Sequence, residues 1–428
     1  MGVFFYNIFL LLFKGLIPLA ALFNPKAKKW VRGRRNIFQK LEKATAGHQS
    51  IIWIHCASLG EFEQGRPLLE KLKADPSFGN SKFLLTFFSP SGYEIRKDYK
   101  GADWVFYLPM DGSRNAKRFL EIVNPSLVIF VKYEFWYYYL KKIKYRNIPL
   151  ILVSALFWKE MSFFKWYGAM QRKMLSRFDH LFVQDQTSKQ LLDDIGLLSI
   201  TSISGDTRFD RVIDIAESAE PLPVIEQFIR GNKTIIAGST WPEDEEVLKQ
   251  SMDALNDPSL KLIMAPHEIS EKHISSLTEL LPGSIRYSQL DSNAASNVLI
   301  IDNIGLLSRL YKYATITYIG GGFGKGIHNT LEAAVYAKPV IFGPVFHKFK
   351  EAADLIKKGG AFTISSADDS IKIISQLLTD DKKQIESGRS SGEYVYSNRG
   401  ATNRIIQFLK EKRYGIQGNS YRGLIGEL

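Results

Sequence analysis

Residues 320–344 read GGGFGKGIHNTLEAAVYAKPVIFGP, and residues 314–319 before them read ATITYI. The β-branched and aromatic run predicts a strand, and five glycines among residues 320–326 predict a turn at which backbone can approach a ligand closely. A helix carrying His328, Asn329 and Glu332 in its first turn is expected next, then a buried strand at Val340–Phe342. Backbone N–H groups at such a helix start favour an anion, so a phosphate-bearing donor is expected at residues 321–329. Glu332 suits the hydroxyls of a ribose, or it is simply a helix-favouring residue near a positive dipole end. No spacing of these glycines gives GxGxxG, and Gly324-Lys325 is followed by Gly326, which excludes the dinucleotide fingerprint and the P-loop.

Outward from this stretch, short apolar runs alternate with helical patterns. In the first half the strand candidates are 51–55, 83–87, 127–131, 150–154, 180–183 and 200–204, with helices such as 62–72 and 113–123 between them. The pattern restarts at 234–237, 262–265, 298–301, 315–319, 340–342 and 362–364. This alternation predicts an α/β fold of two Rossmann-like, doubly wound parallel sheets, with ligands at the carboxyl ends of their strands in a cleft between the domains. The divisions expected are an apolar and basic segment at 1–35, a domain at 36–213, a Pro- and Gly-containing linker at 214–231, a second domain at 232–412 and a polar tail at 413–428.

Residues 55–63 read HCASLGEFE, which puts Glu61 after a strand and at a helix start, where a carboxylate accepts a proton from a hydroxyl or merely favours the helix dipole. Ser58 and Gly60 share that loop, and Ser89 and Ser91 occupy the equivalent loop FSPSGY. Ser239 and Thr240 follow a strand and precede the acidic helix EDEEVL, where they bind phosphate or cap the helix. His267 closes the next strand in APHE.

The chain has 428 residues, a net charge of +12, one cysteine and seven scattered histidines without an HExxH pair. A disulfide framework and a cysteine-based metal cluster are excluded, and a reducing compartment fits. Residues 24–35, NPKAKKWVRGRR, hold six basic residues and no acid, directly after a stretch whose only charge is Lys14. That combination predicts a helix that spans a membrane or lies in its interface, with the basic run meeting anionic lipid on the cytoplasmic side. The aromatic and basic stretches 132–146 and 157–178 suit the same headgroup region and also supply core rings. The apolar N-terminus favours lipid over nucleic acid as the partner of this charge.

In order, SLGEFEQGRPLLE, TFFSPSGYE, YLPMD, EFW, SGDTRFD, AGSTWPEDEE and the glycine-rich stretch resemble the 3-deoxy-D-manno-octulosonic acid (Kdo) transferases of lipopolysaccharide assembly, from the N-terminus to about residue 410. The resemblance implies a GT-B glycosyltransferase fold, with acceptor in the N-terminal domain and CMP-Kdo in the C-terminal one. It implies a phosphorylated lipid A precursor as acceptor, attachment to the cytoplasmic face of the inner membrane, and inverting transfer without a metal. Glu61 falls on the family's general base. Arg208, Ser239, Thr240, Gly321, Gly322, Asn329 and Glu332 fall on its donor motifs, and His267 stands where an arginine is usual. Ser58, Gly60, Ser89, Ser91 and Glu134 are the expected acceptor contacts. Two further departures are Lys132, in place of the first Glu of E-T-E-L-W-P-N, and Leu156, in place of the Arg of N-A-R-L-S. A UDP-sugar transferase and a non-catalytic nucleotide- or lipid-binding membrane protein are the alternatives.

Overall fold

Each half of the chain folds around one parallel sheet. The structure, a computed structural model, describes residues 2–290 and 296–416. One compact unit comprises the residues up to Asp210 together with those from Gly400 onward, and the other comprises Arg211–Arg399.

The first unit opens with three helices, α1 (Gly2–Phe23), α2 (Pro25–Gly33) and α3 (Ile37–Thr45). Its strands are β1 (Ile51–Cys56), β2 (Lys82–Phe87), β3 (Trp104–Tyr107), β4 (Leu127–Val131), β5 (Leu150–Ala155), β6 (His180–Val183) and β7 (Thr201–Ile203). They pair in the order β3-β2-β1-β4-β5-β6-β7, with every pair parallel. β1, β4 and β5 are buried along their whole length, so they read as unbroken apolar runs and not as alternation. The helix α4 (Leu59–Ala74) follows β1 and buries Phe62, Leu68, Leu69 and Leu72 against one sheet face.

In the second unit β8 (Thr234–Thr240), β9 (Lys261–Pro266), β10 (Ile285–Arg286), β11 (Val298–Ile300), β12 (Ile316–Ile319), β13 (Val340–Phe342) and β14 (Ala361–Thr363) are ordered β10-β11-β9-β8-β12-β13-β14. All twelve expected strands are present. The two not expected, β3 and β10, are the outermost of their sheets; one is four residues long and the other two, too short for a periodic signal.

The boundaries differ from the sequence expectation. Within 214–231, helices run Thr207–Glu217 and Pro223–Ile229, and the second buries Ile225, Phe228 and Ile229. The helix Ala401–Glu411, expected in the second domain, lays Ile405, Ile406 and Leu409 against Leu68, Leu69 and Leu72 of the first unit. Its start is fixed by the Asp210 carboxylate, which accepts from the backbone N–H of Gly400 and Thr402. Tyr414 and Ile416 extend the same cluster, so the first residues of the supposed polar tail are packed, while 417–428 lie outside the described residues.

Among the described residues α1 is the one helix long and apolar enough to cross a membrane. It nevertheless lies against its own domain. The Tyr6 hydroxyl donates to Asp111 (2.6 Å), the Tyr138 hydroxyl donates to Asn7 (2.6 Å), and the Phe13 ring meets Trp30 (5.4 Å) and Phe88 (6.4 Å). Leu10 is buried between them, whereas Phe5, Leu12, Leu16 and Leu22 on other faces are more than half exposed. Asn24 caps α2 through its side-chain oxygen, and Pro25 sits at the first helical position.

Gly320 shows how tightly β12 closes on β8. A Cβ there would lie 2.3 Å from the Ser239 carbonyl oxygen and 2.5 Å from the Thr240 Cα, both rigid backbone atoms. Gly320→Ala is expected to destabilise the second unit by about 1–3 kcal/mol, the usual cost of overpacking. Denaturant unfolding checks this, and an unchanged midpoint would show that the two strands separate freely.

Candidate active site

In the first sheet the order reverses at β1 and β4, and in the second at β8 and β12. Connections leaving such a pair in opposite directions open a crevice at the carboxyl ends of its strands. The loops after these four strands carry most of the residues singled out from the sequence.

In the first unit, Glu61 lies in the first turn of α4, whose N-cap is Ser58, and its carboxylate folds back to accept the Ala57 N–H. Burial pushes its pKa up to about 8, with the Glu134 charge adding to the rise and the Ala57 N–H and Lys132 opposing it. Glu134, expected to meet the acceptor, is 5% exposed and turned inward. Its Oε2 accepts from Trp136 Nε1 (2.5 Å) and lies 2.8 Å from His55 Nε2, while His55 Nδ1 is 2.8 Å from Thr86 Oγ1. Gln64 presents its amide oxygen to Lys132 Nζ (3.1 Å) and Arg208 Nε (3.3 Å). Arg208, expected among the donor contacts, thus belongs to the first unit, where Asp206 also holds its guanidinium (2.7 Å). Lys132 has φ +62°, a left-handed conformation uncommon outside glycine that turns the chain sharply after β4. Tyr133 beside it has its phenol pushed up to about 12 by burial and then by the Glu61 charge. Ser89 caps the helix Pro90–Arg96 and hydrogen-bonds Ser91 (2.8 Å between the hydroxyls), and a Cβ at Gly60 would meet open space.

In the second unit one buried carboxylate organises the crevice. Asp244 accepts from the Tyr318 hydroxyl (2.7 Å), the Gly321 N–H (2.8 Å) and the Trp241 N–H (2.9 Å), which joins the loop after β8 to the loop after β12. Ser239 sits at φ +55°. The Thr240 hydroxyl is buried and donates to Glu245 (3.0 Å), so it serves the following helix. The rings of Trp241, His267 and His328 form a stack, with centroids 4.7 and 4.6 Å apart. Trp241 Nε1 donates to His328 Nε2 (3.2 Å), which fits an imidazole whose pKa burial, and then His267, lower to about 4.

The glycine-rich stretch departs from its expected form. Its helix spans only Leu331–Ala334, so His328 and Asn329 precede it and Glu332 alone lies in its first turn. The glycines close on themselves: Gly324 and Gly326 donate to the Gly321 carbonyl (both 3.1 Å), and the His328 N–H donates to Gly320 (3.1 Å). With Gly321 N–H held by Asp244 and Ile327 N–H by the Val345 carbonyl (3.3 Å), five of the amides assigned to a phosphate have protein partners. Gly322 packs directly on Gly343, where a Cβ would lie 2.5 Å from the Gly343 nitrogen. Asn329 Nδ2 donates to Glu332 Oε1 (3.1 Å), fixing that carboxylate, and Asn329 Oδ1 accepts the Leu331 N–H (3.2 Å).

The sequence reading missed His55, Gln64, Trp136, Asp206, Trp241 and Asp244. His55 and Asp244 carried a positional signal, since one ends β1 and the other opens the helix after β8.

Residues 31–211 match the family described as 3-deoxy-D-manno-octulosonic-acid transferase (kdotransferase). The 3-deoxy-D-manno-octulosonic acid transferase of Aquifex aeolicus is 29% identical over 348 residues, covering 80% of this chain and 90% of that protein. That of Haemophilus influenzae is 26% identical over 427 residues, covering 95% and 98%. Among solved structures, the UDP-GlcNAc 2-epimerase of Neisseria meningitidis bound to UDP-GlcNAc superposes with a TM-score of 0.60 at 17% identity, over 85% of this chain and all of that one. The architecture is GT-B, and a fold shared between an epimerase and transferases leaves the chemistry to the site residues.

The carboxylate pair gives a direct expectation. The folded protein keeps a proton on Glu61 that the unfolded chain has lost between about pH 4.5 and 8, so its stability falls as pH rises through that window. Glu134→Gln removes a neighbouring negative charge and is expected to move the Glu61 midpoint to lower pH. Carboxyl infrared titration of the two proteins checks the sign; an upward or absent shift would show that Glu134 does not act on Glu61.

Proposed function

We propose that this chain, a glycosyltransferase of the Kdo transferase family, moves Kdo from CMP-Kdo to a sugar hydroxyl of a phosphorylated lipid A precursor of the lipid IVA type, with inversion. The observation that carries the reading is Glu61, a half-buried carboxylate with a raised pKa at the carboxyl edge of β1. A base poised near the working pH takes a proton without being permanently ionised. The acceptor oxygen forms its bond to the anomeric carbon of Kdo as the bond from that carbon to the CMP phosphate oxygen breaks. The acceptor proton passes to Glu61, and CMP leaves with the bonding electrons. Lys132 attracts the carboxylate form of Glu61 and Glu134 repels it, so the two set the fraction ready to act.

Support for the donor side comes from the crevice at β8 and β12. Glu332, held by Asn329, suits the ribose hydroxyls, and Ser239, Thr240, Gly321, Gly322 and His267 surround the same loops. The motif correspondence gives Arg208 the charge that gathers on the leaving phosphate, and the step is assigned to protein groups without a metal.

Membrane attachment is assigned to α1, with the basic residues of α2 beside it, at the cytoplasmic face of the inner membrane. Trp166 and Tyr167 are exposed at 91% and 59%, as suits rings at a headgroup layer, whereas Phe157, Phe163 and Phe178 of the same stretch are core.

Glu61→Gln is expected to keep the fold and CMP binding and to lose transfer by roughly two to four orders of magnitude. EDTA is expected to leave the wild-type rate unchanged, and CMP is expected to raise the melting temperature where UDP does not. A Glu61→Gln rate within tenfold of wild type would remove that residue from the role of base. Product mass spectrometry with a defined acceptor would overturn the reaction itself if no Kdo were added.

A further inference from the structure

A cavity of about 600 Å³ lies in the first unit beneath α1, bounded by α2, α3 and the loop at 109–115. That volume is within the roughly 300–1,000 Å³ typical of sites for small organic ligands. Its walls are mostly apolar, with Leu10 and Ile17 of α1 together with Val31, Ile37, Phe38 and Met110, and Asn7, Arg34 and Asn115 among the polar groups. The acid in its lining, Asp111, is already committed, accepting from the Tyr6 hydroxyl and from the N–H groups of Tyr138 (3.0 Å) and Tyr139 (3.2 Å). Three cations belong to the same lining: Arg34, whose guanidinium donates to the Leu108 (2.9 Å) and Phe88 (2.8 Å) carbonyls, and Lys14 and Arg114, which are exposed, as charges at a rim are. An apolar chamber with cations at its edge, roofed by a helix whose outer surface is itself apolar, matches a molecule with a long hydrocarbon tail and an anionic head.

We propose that this cavity takes an acyl chain of an anionic amphiphile, with the head held at Lys14 and Arg114. The aromatic contacts indicate which amphiphile. Trp30 lines the cavity and meets Phe88 (5.7 Å), Phe88 meets Trp136 (4.5 Å), and Trp136 donates to Glu134 beside Glu61. The chamber and the carboxylate pair are thus joined by one row of packed rings within a single unit. The chain is therefore one of the acceptor's own acyl chains, an identification that rests on the transferase reading above; the lipid-binding property of the cavity does not. Each methylene withdrawn from water strengthens binding about fourfold, so even a partly inserted chain dominates the affinity for the acceptor.

Two experiments on the full chain test this. In the first, a lysophosphatidic acid bearing a diazirine at the end of its chain is photolysed with the protein in mixed micelles, and the adducts are mapped by mass spectrometry. Label is expected at Ile37, Phe38 or Met110, none of which is on α1, and is expected to fall at least fivefold in Met110→Trp, which fills the chamber. Label confined to the outward residues of α1, or indifferent to Met110→Trp, would overturn the proposal. Ile17→Trp fills the chamber from the opposite wall and replaces Met110→Trp if that variant does not fold. In the second, the preference for an acylated over a deacylated acceptor is measured as a ratio of kcat/KM. It is expected to narrow at least tenfold in the filled variant, and an unchanged ratio would overturn the assignment to the acceptor. If wild type transfers to neither acceptor, the transferase reading fails, while the photolabelling still decides the cavity.

Discussion

A reversal of strand order in a parallel sheet is the constraint on which the site depends. A right-handed crossover must carry the chain over one face or the other, and at β1 and β4 the connections diverge, as they do again at β8 and β12. Backbone at those strand ends is freed from the ladder, and the structure spends that freedom on unusual conformations. Lys132 ends β4 at φ +62° and Ser239 bends the end of β8 at φ +55°. Each left-handed residue redirects the chain within one step, which brings Glu134 back under the sheet edge and the Trp241 ring onto His267. The chemistry of both loops follows from this geometry.

Electrostatics then separates two carboxylates that start alike. Glu134 is the deeper, accepting from Trp136 Nε1 and lying 2.8 Å from His55 Nε2. Glu61 has the backbone N–H groups of Ala57 and Ser58 and the Lys132 charge to set against its burial. Burial first and the neighbouring Glu134 charge second hold the proton on Glu61, the group nearer to solvent, to a higher pH than on an ordinary carboxylate. Lys132 replaces a glutamate of the family pattern. In that position a positive charge stands where the pattern has a negative one, and it lowers the Glu61 pKa against the rise that burial causes.

The sheets were legible from the sequence because their strands are buried on both faces and read as continuous apolar runs. What escaped was tertiary. β3 and β10 are short edges with no periodic signal, and the helix Ala401–Glu411 has an apolar stripe that does not say which domain it covers. Glu61 could be located because it follows a strand and opens a helix. The place of His55 near the end of β1 was equally visible, but its pairing with Glu134 was not, and Gln64 gave no signal at all, since its role depends on Lys132, some seventy residues away. The glycine-rich stretch misled in a physical way: HNTLEAA has the composition of a helix, but the flexibility of the preceding glycines lets their amides satisfy one another. Helix formation is thereby postponed to Leu331.

The N-terminal helix shows the same limit from the other side. Composition passes α1 as a membrane span, yet composition does not register that Tyr6, Leu10 and Phe13, three and four residues apart, form one stripe on the helix. That stripe is occupied by the protein. Asp111 is a buried carboxylate that takes one of its three hydrogen bonds from the Tyr6 hydroxyl, and withdrawing α1 into a bilayer would strip that bond from it. The same withdrawal would carry Asn7 away from Tyr138 and expose the rings of Trp30 and Phe88. A helix tied down along one stripe and apolar on its remaining faces is matched to lying in the interfacial layer, where the bound stripe stays on the protein and the free faces meet acyl chains. On the proposed interfacial attachment, the basic residues of α2 would stand among the headgroups and the chamber beneath the helix at the depth where acyl chains begin.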